Sequence, residues 1–359
     1  MPKPTLPRGS NIISDFIPVA RIADLLLNPG GEYDYNGERR IYPDIKIVYW
    51  CGGNPFHHHQ DLNRLVEAWQ KPETIIVHEP WWNANARHAD IVLPIATTFE
   101  RNDIGAGRAD EYIFAMHKVS EPVGQSLTDY EIFSALSERL GSGQEFTEGR
   151  DEKGWLEHLY QRFRQNAAEY IKDVPTLDEL WERGFYKFPT FEPKAFLGEF
   201  RLNPDENPLG TPSGKIEIFS STIAGFNYDD CPGHPVWQEP LEWLGSNLTE
   251  KYPLHLITNQ PKTRLHSQYD NGGYSKEHKI NDREPVTINP IDASNRGIAD
   301  GDIVRLFNDR GACLAGAQVS DDVMPGVIQL STGAWFDPLE PGTPGSLDVH
   351  GNPNVLTGD

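Results

Sequence analysis

The chain has 359 residues, room for two or three domains of ordinary size. Hydrophobic residues make up 38% and charged residues 24%, mixed along the chain, which describes a globular protein and not a disordered one. Asp plus Glu number 53 against 32 Lys plus Arg, and a formal charge of −21 repels a polyanion, so nucleic acid is not expected as a partner.

The apolar runs have the length of buried strands, so no membrane span is predicted, and the N-terminal residues lack the pattern of a secretory signal. Cys51, Cys231 and Cys313 are scattered, without the spacing of a metal site or a disulfide framework. Cys231 and Cys313 read as packing residues.

Residues 1–16 are rich in Pro, Gly and Ser and read as an extended arm. Residues 17–27 carry apolar side chains at helical spacing and stop at Asn28-Pro29-Gly30-Gly31. Residues 45–50 are a β-rich run ending at Gly52-Gly53-Asn54-Pro55, after which residues 61–69 resume a helical pattern. Residues 74–78 and 89–93 give two more strands, with a loop from Glu79 to Arg87 between them. Strands alternating with a helix predict a parallel βαβ unit, whose ligands lie at the carboxyl ends of the strands.

Residues 129–140 and 155–171 read as amphipathic helices, with Tyr160, Phe163 and Trp181 as packing aromatics. Residues 189–253 are dense in proline and aromatics, and residues 211–219 read as a turn leading into a strand. Residues 254–258, 286–288, 303–308 and 326–330 are short β-branched or alternating runs between Gly, Pro and Asp turns, a spacing that predicts a β-barrel.

Two loops carry chemistry. In Cys51-Gly52-Gly53-Asn54-Pro55-Phe56-His57-His58-His59-Gln60 the glycines let backbone approach a ligand and present N–H groups to phosphate. Neighbouring histidines on a turn do not converge on one ion, so they read as hydrogen-bonding or packing groups and no metal site is expected here. The stretch from Asn259 to Gln268 is equally dense in donors, with Asn259, Gln260, Arg264, His266, Ser267 and Gln268.

These residues carry a resemblance. Residues 49–63 and Ala89-Asp90-Ile91-Val92-Leu93-Pro94 resemble loops of the dimethyl sulfoxide, trimethylamine N-oxide and biotin sulfoxide reductases, a molybdopterin-dependent family. The likeness continues through residues 99–105, 211–217, 258–268 and 350–357, and so covers essentially the whole chain. It implies an α/β plus β fold: a partial Rossmann-like parallel βαβ lobe in residues 1–147, a helical connector in 148–205, and a double-psi β-barrel in 206–359 that binds a molybdopterin dinucleotide.

It also implies the cofactor, molybdopterin guanine dinucleotide, in the bis form with molybdenum in the complete enzyme. Gly52, Gly53, Asn54, His57 and Gln60 are then expected at a pyrophosphate, and Glu79 at the guanine edge, where only an acceptor satisfies N1–H and N2–H. Arg101 and Asp103 are further dinucleotide candidates. Asn259, Gln260, Arg264, His266, Ser267 and Gln268 are expected at the pterin and phosphates, with Asn352 and Asn354 bringing amides to the pterin edges.

In the family the metal-ligating serine lies in the amino-terminal half. The resemblance therefore implies a fragment without a catalytic residue of its own, inactive alone, whose partner is that missing half. A small S-oxide or N-oxide is the implied substrate of the complete enzyme; electron donor and compartment, periplasm or cytoplasm, stay open. The alternatives are a separately encoded cofactor-binding subunit and a nucleotide-binding module without redox function.

Overall fold

The computed structural model describes residues 3–7, 9–13, 15–107, 110–189 and 195–358. The extended arm expected over residues 1–16, and the proline-rich stretch from 189, fall partly outside the described residues. The chain divides into two compact units, one of residues 1–15 and 93–217 and the other of residues 16–92 and 218–359.

In chain order the strands are β1 (Glu32–Tyr35), β2 (Glu38–Ile41), β3 (Ile47–Cys51), β4 (Thr74–Glu79), β5 (Ile91–Pro94), β6 (Asp103–Gly105) and β7 (Tyr112–Met116). They continue with β8 (Phe185–Lys187), β9 (His255–Ile257), β10 (Pro285–Ile288), β11 (Ile303–Phe307), β12 (Ala312–Val319) and β13 (Val327–Leu330). In the larger unit the helix Ile22–Leu27 is followed by a hairpin of β1 and β2, whose Asn36-Gly37 turn takes the two positive φ values (50° and 80°) that match strand twist.

A three-stranded sheet in the order β3-β4-β5 follows. β3 and β4 run parallel, with Cys51 opposite His78, so the loops after both strands emerge side by side. The connecting helix, Leu62–Trp69, buries Leu62, Leu65, Val66, Ala68 and Trp69 on one face.

The second sheet of this unit has the order β11-β12-β10-β13-β9 and curls into half a barrel. Its pairing is mixed: β10 is parallel to β12 and antiparallel to β13, while β13 is parallel to β9. Leu306, Cys313, Ala315, Ile328 and Leu330 from this sheet share one core with Val77, Leu65, Phe56 and Phe336.

The smaller unit packs the sheet β6-β7-β8 with the helices Asp129–Arg139, Glu152–Ala167 and Leu177–Arg183. Capping boxes at Thr128/Glu131 and Thr176/Glu179 start two of these helices, and Asp151 caps the third. Its core is Ile113, Tyr160, Phe163, Ala167, Ile171, Leu180 and Phe188. Trp181 is half-buried, its ring set edge-on to His117.

Two expectations are corrected. Residues 215–219 form no strand: Ile216, Ile218 and Phe219 stand exposed, and an alternating run without a ladder partner satisfies its backbone in water instead. Cys231 is exposed and packs nothing, whereas Cys313 lies fully buried on β12, where burial pushes its thiol well up.

Candidate functional site: two donor-rich loops on one unit

The loop after β3 begins with Gly52 and Gly53, both exposed and both at positive φ (87° and 71°). The space where each Cβ would stand is open, so main chain rather than side chain meets whatever approaches. Asn54 caps the helical turn Pro55–His58, its amide oxygen accepting from the Phe56 N–H at 3.0 Å, while its buried amide nitrogen has no partner.

His57 is buried with its ring stacked on Trp335 at 5.5 Å, and its Nε2 has no partner. Burial, then the neighbouring His58, pushes its imidazole down to about 3, so it is neutral at physiological pH and keeps one donor and one acceptor nitrogen. His58 and Gln60 are exposed.

The second loop meets the first. The rings of His58 and His266 lie 6.2 Å apart, and each lies on the rim of the same unit. Gln260 fixes His266 twice, its amide oxygen accepting from the His266 N–H at 3.1 Å and its nitrogen 2.9 Å from Nδ1. Asn259 holds the adjoining turn, its carbonyl accepting from the Thr332 N–H at 2.9 Å, and the Ser267 carbonyl accepts from the Trp335 indole at 2.8 Å. Gln268 is exposed. Gly333 permits this approach: at φ 88°, a Cβ there would stand 2.1 Å from the His266 carbonyl oxygen.

Beneath the second loop lies a buried ion network. Arg264, whose side chain is 1% exposed, turns inward to Asp270 at 3.2 Å and Glu284 at 3.1 Å and donates to the Thr332 carbonyl at 3.3 Å. Lys279 bridges the same two carboxylates at 2.8 and 3.0 Å, and His350 Nε2 lies 2.8 Å from Asp270. Burial opposes ionisation of Asp270, yet the bond from His350 and the cations Lys279 and Arg264 hold its carboxyl well below the usual range. Arg264 thus presents no free guanidinium to solvent.

Asn352 and Asn354 likewise face inward. Asn352 donates to the Phe56 carbonyl at 3.3 Å and Asn354 to the His57 carbonyl at 3.4 Å, tying the C-terminal segment to the first loop. Asp348, fully buried, accepts the N–H groups of Asp337, Gly351 and Asn352, each at 2.8 Å.

Glu79 ends β4, half-buried, and burial pushes its pKa up against the opposing influence of Asn83 and the Trp81 backbone. Arg101 and Asp103 belong to the smaller unit, where they pair with each other.

Two residues escaped sequence reasoning. Asn83 caps the helical turn Ala84–Arg87, and Asn85 in that turn is fully buried with both amide atoms unpartnered. The only signal for either was an Asn-rich loop after a strand. Among the described residues no group of three or more His, Cys, Asp or Glu could hold a metal ion, and no helix is long and apolar enough to cross a membrane.

Open glycine backbone, exposed amides and imidazoles, and unpartnered polar atoms on Asn54, His57 and Asn85 make a donor set suited to an extended polar ligand carrying phosphate and a heterocycle. Comparison with known proteins narrows the class. Residues 28–139 match the family described as "Molybdopterin oxidoreductase", and residues 254–359 match the "Molydopterin dinucleotide binding domain". The chain thus carries a molybdopterin oxidoreductase segment and a molydopterin dinucleotide-binding segment.

It is 51% identical over 347 residues to a dimethyl sulfoxide/trimethylamine N-oxide reductase of Cereibacter sphaeroides, covering 96% of this chain and 42% of that protein. It is 51% identical to a biotin sulfoxide reductase of the same organism (99% and 47% covered) and 47% identical to a trimethylamine-N-oxide reductase of Haemophilus influenzae (95% and 42%). The chain therefore spans less than half the length of the curated relatives it matches. In fold it resembles acetylene hydratase from Pelobacter acetylenicus, with a TM-score of 0.65 at 19% identity over 87% of this chain and 41% of that one. The cofactor of the matched domains is a molybdopterin guanine dinucleotide with molybdenum, and the donor set fits its phosphates and heterocycles.

Proposed function

We propose that this chain supplies the dinucleotide-gripping part of a molybdenum bis(molybdopterin guanine dinucleotide) reductase of small S-oxides or N-oxides. In this reading residues 1–147 form a partial Rossmann-like lobe, 148–205 a helical connector, and 206–359 a double-psi barrel. The further length carried by the relatives supplies the metal-ligating region, from the same polypeptide or from a separately encoded partner. The observation that carries the reading is the meeting of residues 51–60 with residues 258–268 on one unit, the first of these loops being tied to the C-terminal segment by the amides of Asn352 and Asn354.

When bound, the cofactor's molybdenum supplies the two-electron oxygen-atom transfer. The chain's own residues bind and orient. Gly52 and Gly53 offer main-chain N–H groups to the pyrophosphate, with Asn54, His57 and Gln60 adding donors. Glu79 accepts from the guanine edge. Asn259, Gln260, His266, Ser267 and Gln268 line the pterin side, while Arg264, Asn352 and Asn354 act through the loops they hold.

The test is molybdenum and guanine content of the chain purified alone and after co-expression with the amino-terminal region of a relative. Negligible molybdenum alone and recovery of both on co-expression is the expected result. Stoichiometric molybdenum with viologen-linked sulfoxide reduction by the chain alone would overturn the assignment of a partial role.

A further inference from the structure

We infer that His88 is a proton-operated latch: as the neutral imidazole with its proton on Nδ1 it holds the hairpin of residues 338–347 against the lobe that carries the first loop, and acid releases that hairpin. The inference stands apart from the function proposed above, because it uses residues given no part in ligand binding there.

His88 closes the helical turn Ala84–Arg87, its backbone N–H donating to the Ala84 carbonyl at 3.1 Å. Its Nδ1 lies 2.7 Å from that same carbonyl oxygen, which can only accept, so Nδ1 carries a proton. Across the ring, Nε2 accepts the Gly342 N–H at 3.1 Å, which requires a free lone pair. The two partners thus fix one tautomer, and a second proton, on Nε2, would set two donors face to face. Ring rotation offers no escape. The rings of Phe56 and Phe336 stack with His88 at 4.4 and 6.2 Å, and a half-turn of the imidazole would put carbon where each nitrogen now bonds.

The hairpin depends on such outside bonds. Residues 338–347 leave and return between Asp337 and Asp348, pinched where the Leu339 N–H donates to the Leu347 carbonyl at 3.0 Å. Pro338 is the one buried residue of this stretch, and Leu339 is 64% exposed, so little apolar packing holds it. Its tip is held instead by polar contacts with residues of the neighbouring lobe. His88 takes the Gly342 N–H, the Gln70 side chain donates to the Gly342 carbonyl, and the Asn63 amide oxygen accepts from the Gly345 N–H at 2.9 Å. Where so few bonds act, losing one shifts the local opening equilibrium.

The charged groups around the ring do not favour a second proton. Arg87, the preceding residue, opposes another cation and is paired with Asp337 at 2.8 Å. Asp90 is engaged by the Ile75 N–H at 2.8 Å, and Glu67, Lys71 and Glu340 on the helix and the hairpin are exposed. His57 and His58, on the turn that carries Phe56, are themselves held below the ordinary imidazole range. Burial, partly offset by the bond to the Ala84 carbonyl and reinforced by Arg87, pushes the His88 imidazole below its ordinary 6.5. The latched chain therefore refuses a proton that the released chain accepts, so the latch is closed above about pH 6.5 and weakens as pH falls below it.

The test is hydrogen exchange over residues 338–347 of the full chain between about pH 7.5 and about pH 5, normalised to intrinsic rates, with NMR of isotopically labelled histidine to assign the ring protons. A protonated Nδ1 and a bare Nε2 at about pH 7.5 are expected, with protection of the hairpin falling about tenfold as His88 titrates. His88→Gln, whose amide oxygen accepts without titrating, should keep the hairpin protected across the range. His88→Phe, which keeps the stacking and loses the acceptor, should leave it weakly protected at every pH. A bare Nδ1, protection that does not change with pH, or the same pH response in His88→Gln as in the wild type would overturn the inference. Should thermal melts show that a variant does not fold, the tautomer and pH response of the wild type decide alone.

Discussion

Replacing Asp348 by Asn tests which force governs a fully buried carboxylate. Asp348 is 0% exposed and accepts three backbone N–H groups, from Asp337, Gly351 and Asn352, all at 2.8 Å. Those bonds favour the ionised form, but burial outweighs them and pushes the carboxyl up to about 6 from an ordinary 3.8. Between those two values the unfolded chain has released a proton that the folded chain keeps. Stability from this group is therefore fully present below about pH 4 and lost as pH rises through about 6, roughly 3 kcal/mol in all. An Asn side chain has no such titration; its amide nitrogen faces one N–H without accepting, at a cost of about 1–3 kcal/mol at every pH. Subtracting, Asp348→Asn should destabilise clearly near about pH 4.5 and little or not at all near about pH 7.5. Urea unfolding of both proteins across that range, compared at constant m, measures the difference while other titrating groups cancel. A variant that is more destabilised at the higher pH would refute the reasoning, because it would mean that the three N–H bonds win over desolvation.

Asp270 has the opposite sign: its carboxyl is held below the usual range, so its contribution is present above about pH 4 and lost as pH falls, and the deficit of Asp270→Asn should shrink on acidification. Arg264→Ala leaves Lys279 as the one group bridging two buried carboxylates and should cost about 3–5 kcal/mol in thermal or urea unfolding; a loss below about 1 kcal/mol would count against the buried network. Asn354→Ala removes the donor to the His57 carbonyl and should cost about 1 kcal/mol, with faster amide exchange in residues 54–58; unchanged exchange would show that the tie is idle. Gly333→Ala must move the His266 carbonyl, so amide exchange over residues 258–268 should rise while that of β10 and β12 stays protected, and a uniform response would refute a local effect.

The sequence was most informative where local chemistry decides conformation. Residues 45–50 and 74–78 became β3 and β4 because short β-branched runs bounded by turns have few alternatives, and Gly52-Gly53 took the positive φ values that only glycine accepts cheaply. Elements whose stability comes from a distant partner were illegible. Residues 312–319 carry Ala and Gly, weak strand formers, yet make the long interior strand β12, whose backbone pairs with β11 on one edge and β10 on the other, and at Gly316 the missing Cβ leaves room for Ile280. Residues 215–219 have the better strand pattern and no partner. Even the Asn36-Gly37 hairpin, a strong local signal beside the alternating Tyr33 and Tyr35 of β1, is masked in the sequence by a β2 of Glu38-Arg39-Arg40-Ile41 that does not alternate.

The same distinction divides the candidate site. Sequence reasoning picked polar residues in the right loops, but polarity does not say which way a side chain turns. Exposed Gln260, His266 and Gln268 stand on the rim, whereas Arg264, Asn352 and Asn354, of the same chemical kinds, are consumed inside the chain. The inward group is not a loss to binding. A polar loop of ten residues free in water would have to be ordered as its ligand arrived, at about 1–2 kcal/mol of backbone entropy per residue. Arg264 and Asp270 fix that loop from below, and the two asparagines fix its neighbour from the side, so most of that ordering is complete before binding. Residues that never touch a ligand can therefore carry as much of its affinity as those that do, and substituting them should change how fast the loops open more than which ligand they hold.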